Sequence, residues 1–194
     1  KIRAQTLFMD LLKERAETGR IYIMNIDHCN THSSFKDKVY MSNLCQEITL
    51  PTTPIKHIDD PDGEIALCIL SAINLGLIKE KDELKDLCDL SVRALEEIID
   101  YQEYPVEAAK KSTLARRSLG IGYIGLAHFL AKNKVKYDDK EAWKLVDEIT
   151  EAFQYYLLKA SNTLAKERGA CEYFDKTKYS DGILPIDSYK KDVD

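Results

Sequence analysis

The sequence has no apolar run of membrane-spanning length, and nothing ahead of its first helix reads as a signal peptide. It also has no C-x-x-C pair, no internal repeat and no low-complexity stretch. These absences argue against a spanning protein, a secreted one and a thioredoxin-like one. The five cysteines are irregularly spaced and form no disulfide framework of the secreted kind, so a cytoplasmic location is the expectation. Excess basic charge is missing too. Against 33 Asp and Glu stand 28 Lys and Arg, which gives charge no reason to draw the chain to nucleic acid. What is present is 44% hydrophobic content over 194 residues, enough for a sizeable core.

Periodicity places the elements. Leu7, Phe8, Leu11 and Leu12 recur at helical spacing in a segment that ends near Gly19, and Ile21-Tyr22-Ile23-Met24 reads as a strand. Residues 27 to 63 are loop-rich, with Pro51, Pro54 and Pro61 limiting helix formation. The apolar run 64 to 70 fits either a strand or the start of a buried helix. Residues 81 to 101 form an amphipathic helix through Leu84, Leu87, Cys88, Leu95, Ile98 and Ile99. A second long helix fits 140 to 168, with Gly169 as its cap. Strands interspersed with helices suggest an α/β fold.

Three patterns invite functional readings that their surroundings do not support. Gly120-Ile121-Gly122-Tyr123-Ile124-Gly125 matches G-x-G-x-x-G, but Lys110 to Ser118 is too polar for the buried strand a dinucleotide fingerprint requires, so close backbone packing explains it better. His28-Cys29-Asn30-Thr31-His32 suggests a metal site, yet no clear second ligand cluster appears, and a zinc-binding structural module stays an alternative only. Tyr155-Tyr156 sits among Phe153, Leu157, Ala160 and Leu164, which marks a packed helix.

The most informative stretch is Met41-Ser42-Asn43-Leu44-Cys45-Gln46-Glu47-Ile48. In an extended or finger-like loop, Asn43, Cys45 and Glu47 would point to one side and Leu44, Gln46 and Ile48 to the other. An amide, a thiol and a carboxylate on one side could converge on one small polar molecule. The ordinary alternative is a buried, inert cysteine.

Other segments stand around it in a definite order. Asn25-Ile26-Asp27-His28-Cys29-Asn30-Thr31-His32-Ser33 precedes it, and Gly63-Glu64-Ile65-Ala66-Leu67-Cys68 follows. Then come Ala72-Ile73-Asn74-Leu75-Gly76, Arg116-Arg117-Ser118-Leu119-Gly120-Ile121-Gly122, Gly182-Ile183-Leu184-Pro185-Ile186-Asp187 and Tyr189-Lys190-Lys191-Asp192. Together these resemble the large catalytic subunit of class Ia ribonucleotide reductase, of the bacterial and phage type. The resemblance runs over essentially all of the chain.

The resemblance implies part of a ten-stranded α/β barrel with a finger loop carrying the radical cysteine. Residues 1–194 would be a central portion of that catalytic barrel. The N-terminal effector-binding module and the C-terminal redox tail would lie outside them, as would the tyrosine pair that passes the radical. Cys45 matches the thiyl-radical cysteine, Glu47 the carboxylate that accepts the 3′-hydroxyl proton, and Asn43 the amide that orients the sugar. The substrate, a ribonucleoside diphosphate, would lie against Asn43, Leu44, Cys45, Gln46 and Glu47. Cys68 matches one cysteine of the redox-active disulfide, its partner lying outside this chain, although its apolar setting equally suits a buried strand cysteine. Cys29, Cys88 and Cys171 match no catalytic position and read as structural.

The implied partners are the remaining large-subunit segments, a second large subunit in a homodimer, a radical-bearing small subunit that contains the metal, and thioredoxin or glutaredoxin as reductant. Nucleotide effectors would bind elsewhere in the large subunit, and this segment would hold no cofactor or metal directly. No membrane and no nucleic acid partner are expected. A non-catalytic assembly fragment is the other alternative. A partial barrel should also leave strand edges unpaired and apolar faces uncovered, which predicts that the isolated chain is poorly folded or aggregation-prone.

Overall fold

The computed structural model describes residues 1–189. Lys190, Lys191 and Asp192 of the C-terminal motif therefore lie outside the described residues. In chain order the elements are α1 (Ala4–Thr18), α2 (Ile26–His32), β1 (Ile69–Asn74), α3 (Glu83–Tyr101), α4 (Glu107–Arg116), β2 (Leu119–Ile124), α5 (Leu126–Lys132), α6 (Lys140–Arg168) and α7 (Pro185–Tyr189). Short 3-10 turns follow β1, at Leu75–Leu77, and precede α7, at Phe174–Lys176 and Lys178–Asp181.

The chain divides into two compact units, one of residues 1–52 with 176–194 and one of residues 53–175. In the first, backbone pairing joins segments far apart in sequence. Phe35 bridges Thr177, Lys36 N–H donates to Lys176 O, and Lys178 N–H donates to Ser34 O, both at 2.8 Å. Lys36 Nζ adds an ion pair to Asp181 at 2.8 Å. α1 stops at Gly19, whose φ of +65° suits glycine, and it buries no residue: Leu7, Phe8 and Met9 are all more than half exposed.

Two expectations for this unit are corrected. Ile21–Met24 is not a strand, because among the described residues no segment pairs with it and apolar, β-favouring residues make a strand only against a partner. The loop-rich stretch begins with a helix, α2, closed by local bonds. Asn30 Nδ2 donates to Ile26 O and Val39 O, and Asn30 Oδ1 accepts from Val39 N–H, all within 2.8–2.9 Å.

The second unit is a βαβ arrangement. β1 and β2 pair in parallel, Ile69 opposite Leu119 through Asn74 opposite Ile124. α3 and α4 form the crossover that parallel neighbours require. The strand within the apolar run begins at Ile69 and runs on to Asn74, so residues 64–68 are its approach. Its start is set by the partner, since β2 supplies hydrogen-bonding groups only from Ser118 onward.

α3 follows the expected amphipathic pattern, burying Leu84, Cys88, Val92, Leu95 and Ile99, while Ile98 turns outward. It packs on both strands and along α6. Ile73, Leu75, Ile78, Leu84, Cys88, Ile149 and Phe153 form the main core, and each fully buried leucine or isoleucine contributes roughly 1.5–3 kcal/mol. Arg93 ties α3 to α6 through a two-pronged contact with Glu167 at 2.7 and 2.9 Å.

Tyr155 and Tyr156 lie on α6, whose Phe153, Ala160 and Leu164 are buried, as a packed helix requires. α6 ends at Gly169, as its sequence suggested. The glycine motif spans a strand and a helix start. Gly120 and Gly122 lie within β2, and Gly125, with φ of +76°, caps α5. The segment before it is the helix α4, so the strand that a dinucleotide fingerprint needs in that place is absent.

Candidate functional site

The loop from Met41 to Ile48 is built around a tight turn. Gln46 N–H donates to Asn43 O at 3.2 Å, and Gln46 takes a left-handed φ of +64°. Asn43 Oδ1 accepts from Ile48 N–H at 3.0 Å, so one side chain spans the turn and closes it, a role for which asparagine is well suited. Ser42 Oγ donates to Asn43 O at 2.9 Å.

Of the two loop forms expected, extended or finger-like, the backbone here is a turn. A turn at Asn43–Gln46 replaces the extended backbone, and Leu44, expected on the opposite side, is 80% exposed. Asn43, Cys45 and Glu47 are all exposed, while Gln46 and Ile48 are half-buried. The loop thus leaves an apolar side chain, a thiol and a carboxylate exposed. Asn43 Nδ2 donates to no other described residue, which leaves it able to donate to a bound molecule.

Cys68 lies in the other compact unit, half-buried, on the approach to β1. The remaining cysteines differ in setting. Cys88 is fully buried in α3, and burial pushes its thiol up to about 11. Cys171 is half-buried and its thiol is likewise raised, mainly by burial. Cys29 sits half-buried within α2. His28, Cys29 and His32 share that helix, and among the described residues no group of three or more His, Cys, Asp or Glu is placed to hold a metal ion.

Sequence reasoning quoted two segments without seeing that they meet. Glu64 and Arg116 form a buried ion pair at 2.9 Å, their side chains 8% and 4% exposed. The Arg116 guanidinium also lies 5.0 Å from the centre of the Tyr173 ring, and Tyr173 OH donates to Glu64 Oε1 at 3.5 Å. Burial, and then the Glu64 charge, raise the Tyr173 hydroxyl above its ordinary range. This cluster pins the segment that leads into Cys68 against the end of the helix that leads into Gly120. A lone glutamate before an apolar run and an Arg-Arg pair ending a polar helix were the available signals.

Next to it, Arg117 takes a left-handed φ of +49° and pairs with Glu96 and, at 2.7 and 2.9 Å, with Asp100. The guanidinium holds the Asp100 carboxyl below the usual carboxylate range.

One compact unit thus carries the exposed turn with Cys45, and the other the parallel βαβ arrangement with Cys68 on the approach to β1. The family model described as "Ribonucleotide reductase, barrel domain" matches residues 1–194, and the chain belongs to that family. It is 61% identical over 196 residues to the ribonucleoside-diphosphate reductase subunit alpha of Haemophilus influenzae. It is 56% identical over 197 residues to the corresponding Escherichia coli subunit, and 43% identical over 199 residues to that of Enterobacteria phage T4. In all three cases the whole chain is covered but only 26% of the relative, so the chain spans about a quarter of their length.

Among solved structures it is similar to the Actinobacillus ureae class Id ribonucleotide reductase alpha subunit. The TM-score is 0.74 at 28% sequence identity, covering 88% of this chain and 33% of that one. The α/β fold is therefore a portion of a barrel domain. No helix among the described residues is long and apolar enough to cross a membrane.

Proposed function

We propose that this chain forms part of the catalytic barrel of a class Ia ribonucleotide reductase large subunit and carries its radical cysteine. The supporting observation is the closed turn at Asn43–Gln46, which holds the Cys45 thiol exposed with Glu47 and the Asn43 amide close to it in sequence. The reaction is reduction of a ribonucleoside diphosphate: two thiols become a disulfide, the 2′-hydroxyl leaves as water, and the 2′ carbon gains hydrogen.

In this reading each residue has a chemical reason. A ribose 3′ carbon–hydrogen bond is too weakly acidic for removal by a base, but a sulfur radical at Cys45 takes that hydrogen atom and becomes a thiol, leaving a carbon radical. Glu47 accepts the 3′-hydroxyl proton. Asn43 donates from Nδ2 to the sugar, while Leu44 and Gln46 complete the surface against which it lies. Cys68 supplies one of the two reducing thiols, the other coming from outside this chain.

The radical originates in a metal-containing small subunit, nucleotide effectors act elsewhere in the large subunit, and thioredoxin or glutaredoxin regenerates the dithiol. The complete large subunit works as a homodimer in the cytoplasm, where it makes precursors for DNA replication. The test is ribonucleoside diphosphate reduction by a complete large subunit containing this sequence, mixed with its small subunit. The parent should turn over and Cys45→Ala should form no product above background. A Cys45→Ala variant with parental turnover would refute the reading.

A further inference from the structure

The register of the two strands places Leu70 opposite Gly120 and Ala72 opposite Gly122. The other face of the pair, with Ile73, Ile121 and Tyr123, packs into the core beneath α3 and α6. Two glycines thus leave the outer face of β2 bare at positions 120 and 122, and they are not equivalent. A Cβ at Gly120 would stand 2.5 Å from Leu70 Cδ2 and 3.1 Å from Cys68 Sγ, whereas a Cβ at Gly122 would meet nothing within 4 Å. Neither glycine has a positive φ, so the backbone there suits any residue. At position 120 the reason for glycine is room.

We propose that Gly120 is a positioning residue for the Cys68 thiol, keeping open the space in which that sulfur moves between thiol and disulfide. This rests on the reading of Cys68 as a redox thiol. Leu70 is more than half exposed and can swing away from a new methyl group. The sulfur at 3.1 Å is tighter than ordinary contact, so the thiol itself would have to give by a few tenths of an ångström. Forming a disulfide brings two sulfurs from non-bonded contact to about 2.05 Å with a restricted dihedral, so the orientation of each thiol matters.

The test uses the complete large subunit with its small subunit and compares the parent with Gly120→Ala, Gly122→Ala and Cys68→Ser. Three quantities are read: kcat and KM, product formed by pre-reduced enzyme without added reductant, and the rate of Cys68 alkylation by iodoacetamide, followed by peptide mass. Gly120→Ala should lower kcat and the reductant-free product several-fold, since the sulfur must give by a few tenths of an ångström and misplacement by 1 Å can cost on the order of a hundredfold. Its KM should stay within about twofold of the parent and its Cys68 alkylation rate should change. Gly122→Ala should match the parent in all three.

Should Gly120→Ala fold poorly, Gly120→Ala with Leu70→Ala removes the 2.5 Å contact and retains the one to sulfur, so it should keep the defect. Parental behaviour of Gly120→Ala or of that double variant, or an equal loss in Gly122→Ala, would overturn the proposal. Full multiple turnover by Cys68→Ser would instead remove the redox reading beneath it.

Discussion

Replacing Glu64 with leucine takes away the carboxylate 2.9 Å from Arg116 in a place where the two side chains are only 8% and 4% exposed. Removing one partner of a buried pair typically costs about 3–5 kcal/mol, most of it from the charge left behind. At about 1.4 kcal/mol per decade, a 3 kcal/mol loss makes local opening roughly a hundredfold more frequent. The effect should be local because the pair joins two short stretches, residues 61–68 and α4. Hydrogen exchange by mass spectrometry on the complete subunit would read it. Amides of Ile65 and of α4 should exchange on the order of a hundredfold faster in Glu64→Leu, while α5 is unchanged. Pairing Glu64→Leu with Arg116→Met should recover much of the protection, because an apolar pair of similar volume removes the buried charge as well. Less than about threefold acceleration in Glu64→Leu, against that hundredfold expectation, would show that the pair does not hold these segments.

Gly125→Ala should destabilise the β2–α5 junction by at least about 1–2 kcal/mol, because φ there is +76° and a Cβ would meet Asn74 Oδ1 at 2.4 Å; faster exchange at the start of α5 is the measure. Asp60 accepts hydrogen bonds from Lys56 N–H at 2.8 Å and Asp62 N–H at 3.0 Å, which hold its carboxyl below the ordinary aspartate value. Its contribution is therefore fully present above pH about 4 and lost as pH falls through the lower folded value, so Asp60→Asn should loosen residues 56–62 at neutral pH and flatten their acid response in hydrogen exchange. Leu70 and Ile124, each more than half exposed on the same face of the strand pair, should make the isolated chain associate; Leu70→Lys should shift it toward monomer in light scattering.

Long helices were legible from the sequence because their signals are local. α3 and α6 appear within two or three residues of their expected bounds, since amphipathic spacing and a terminal glycine lie within the helix itself. Strands were harder because each depends on a partner. Ile21–Met24 has the composition of a strand and none of the described pairing, whereas β1 starts where β2 can bond to it and not where the apolar run begins. The motif around Cys45 was visible as a pattern of residue types, but its turn was not: the Asn43 bond to Ile48 N–H and the left-handed Gln46 are choices of the folded loop. Glu64 and Arg116 lie far apart in the chain, and no spacing rule joins them.

The most direct measurement follows the fate of the 3′ hydrogen in a 3′-deuterated ribonucleoside diphosphate. The complete large subunit would be compared as the parent, as Cys45→Ala and as Cys68→Ser, each with its radical-bearing small subunit. Cleavage of the 3′ carbon–deuterium bond should occur in the parent and in Cys68→Ser, with sustained deoxyribonucleotide production only in the parent, and should be absent in Cys45→Ala. Cleavage in Cys45→Ala at the parental rate would contradict the central claim that Cys45 takes the hydrogen atom.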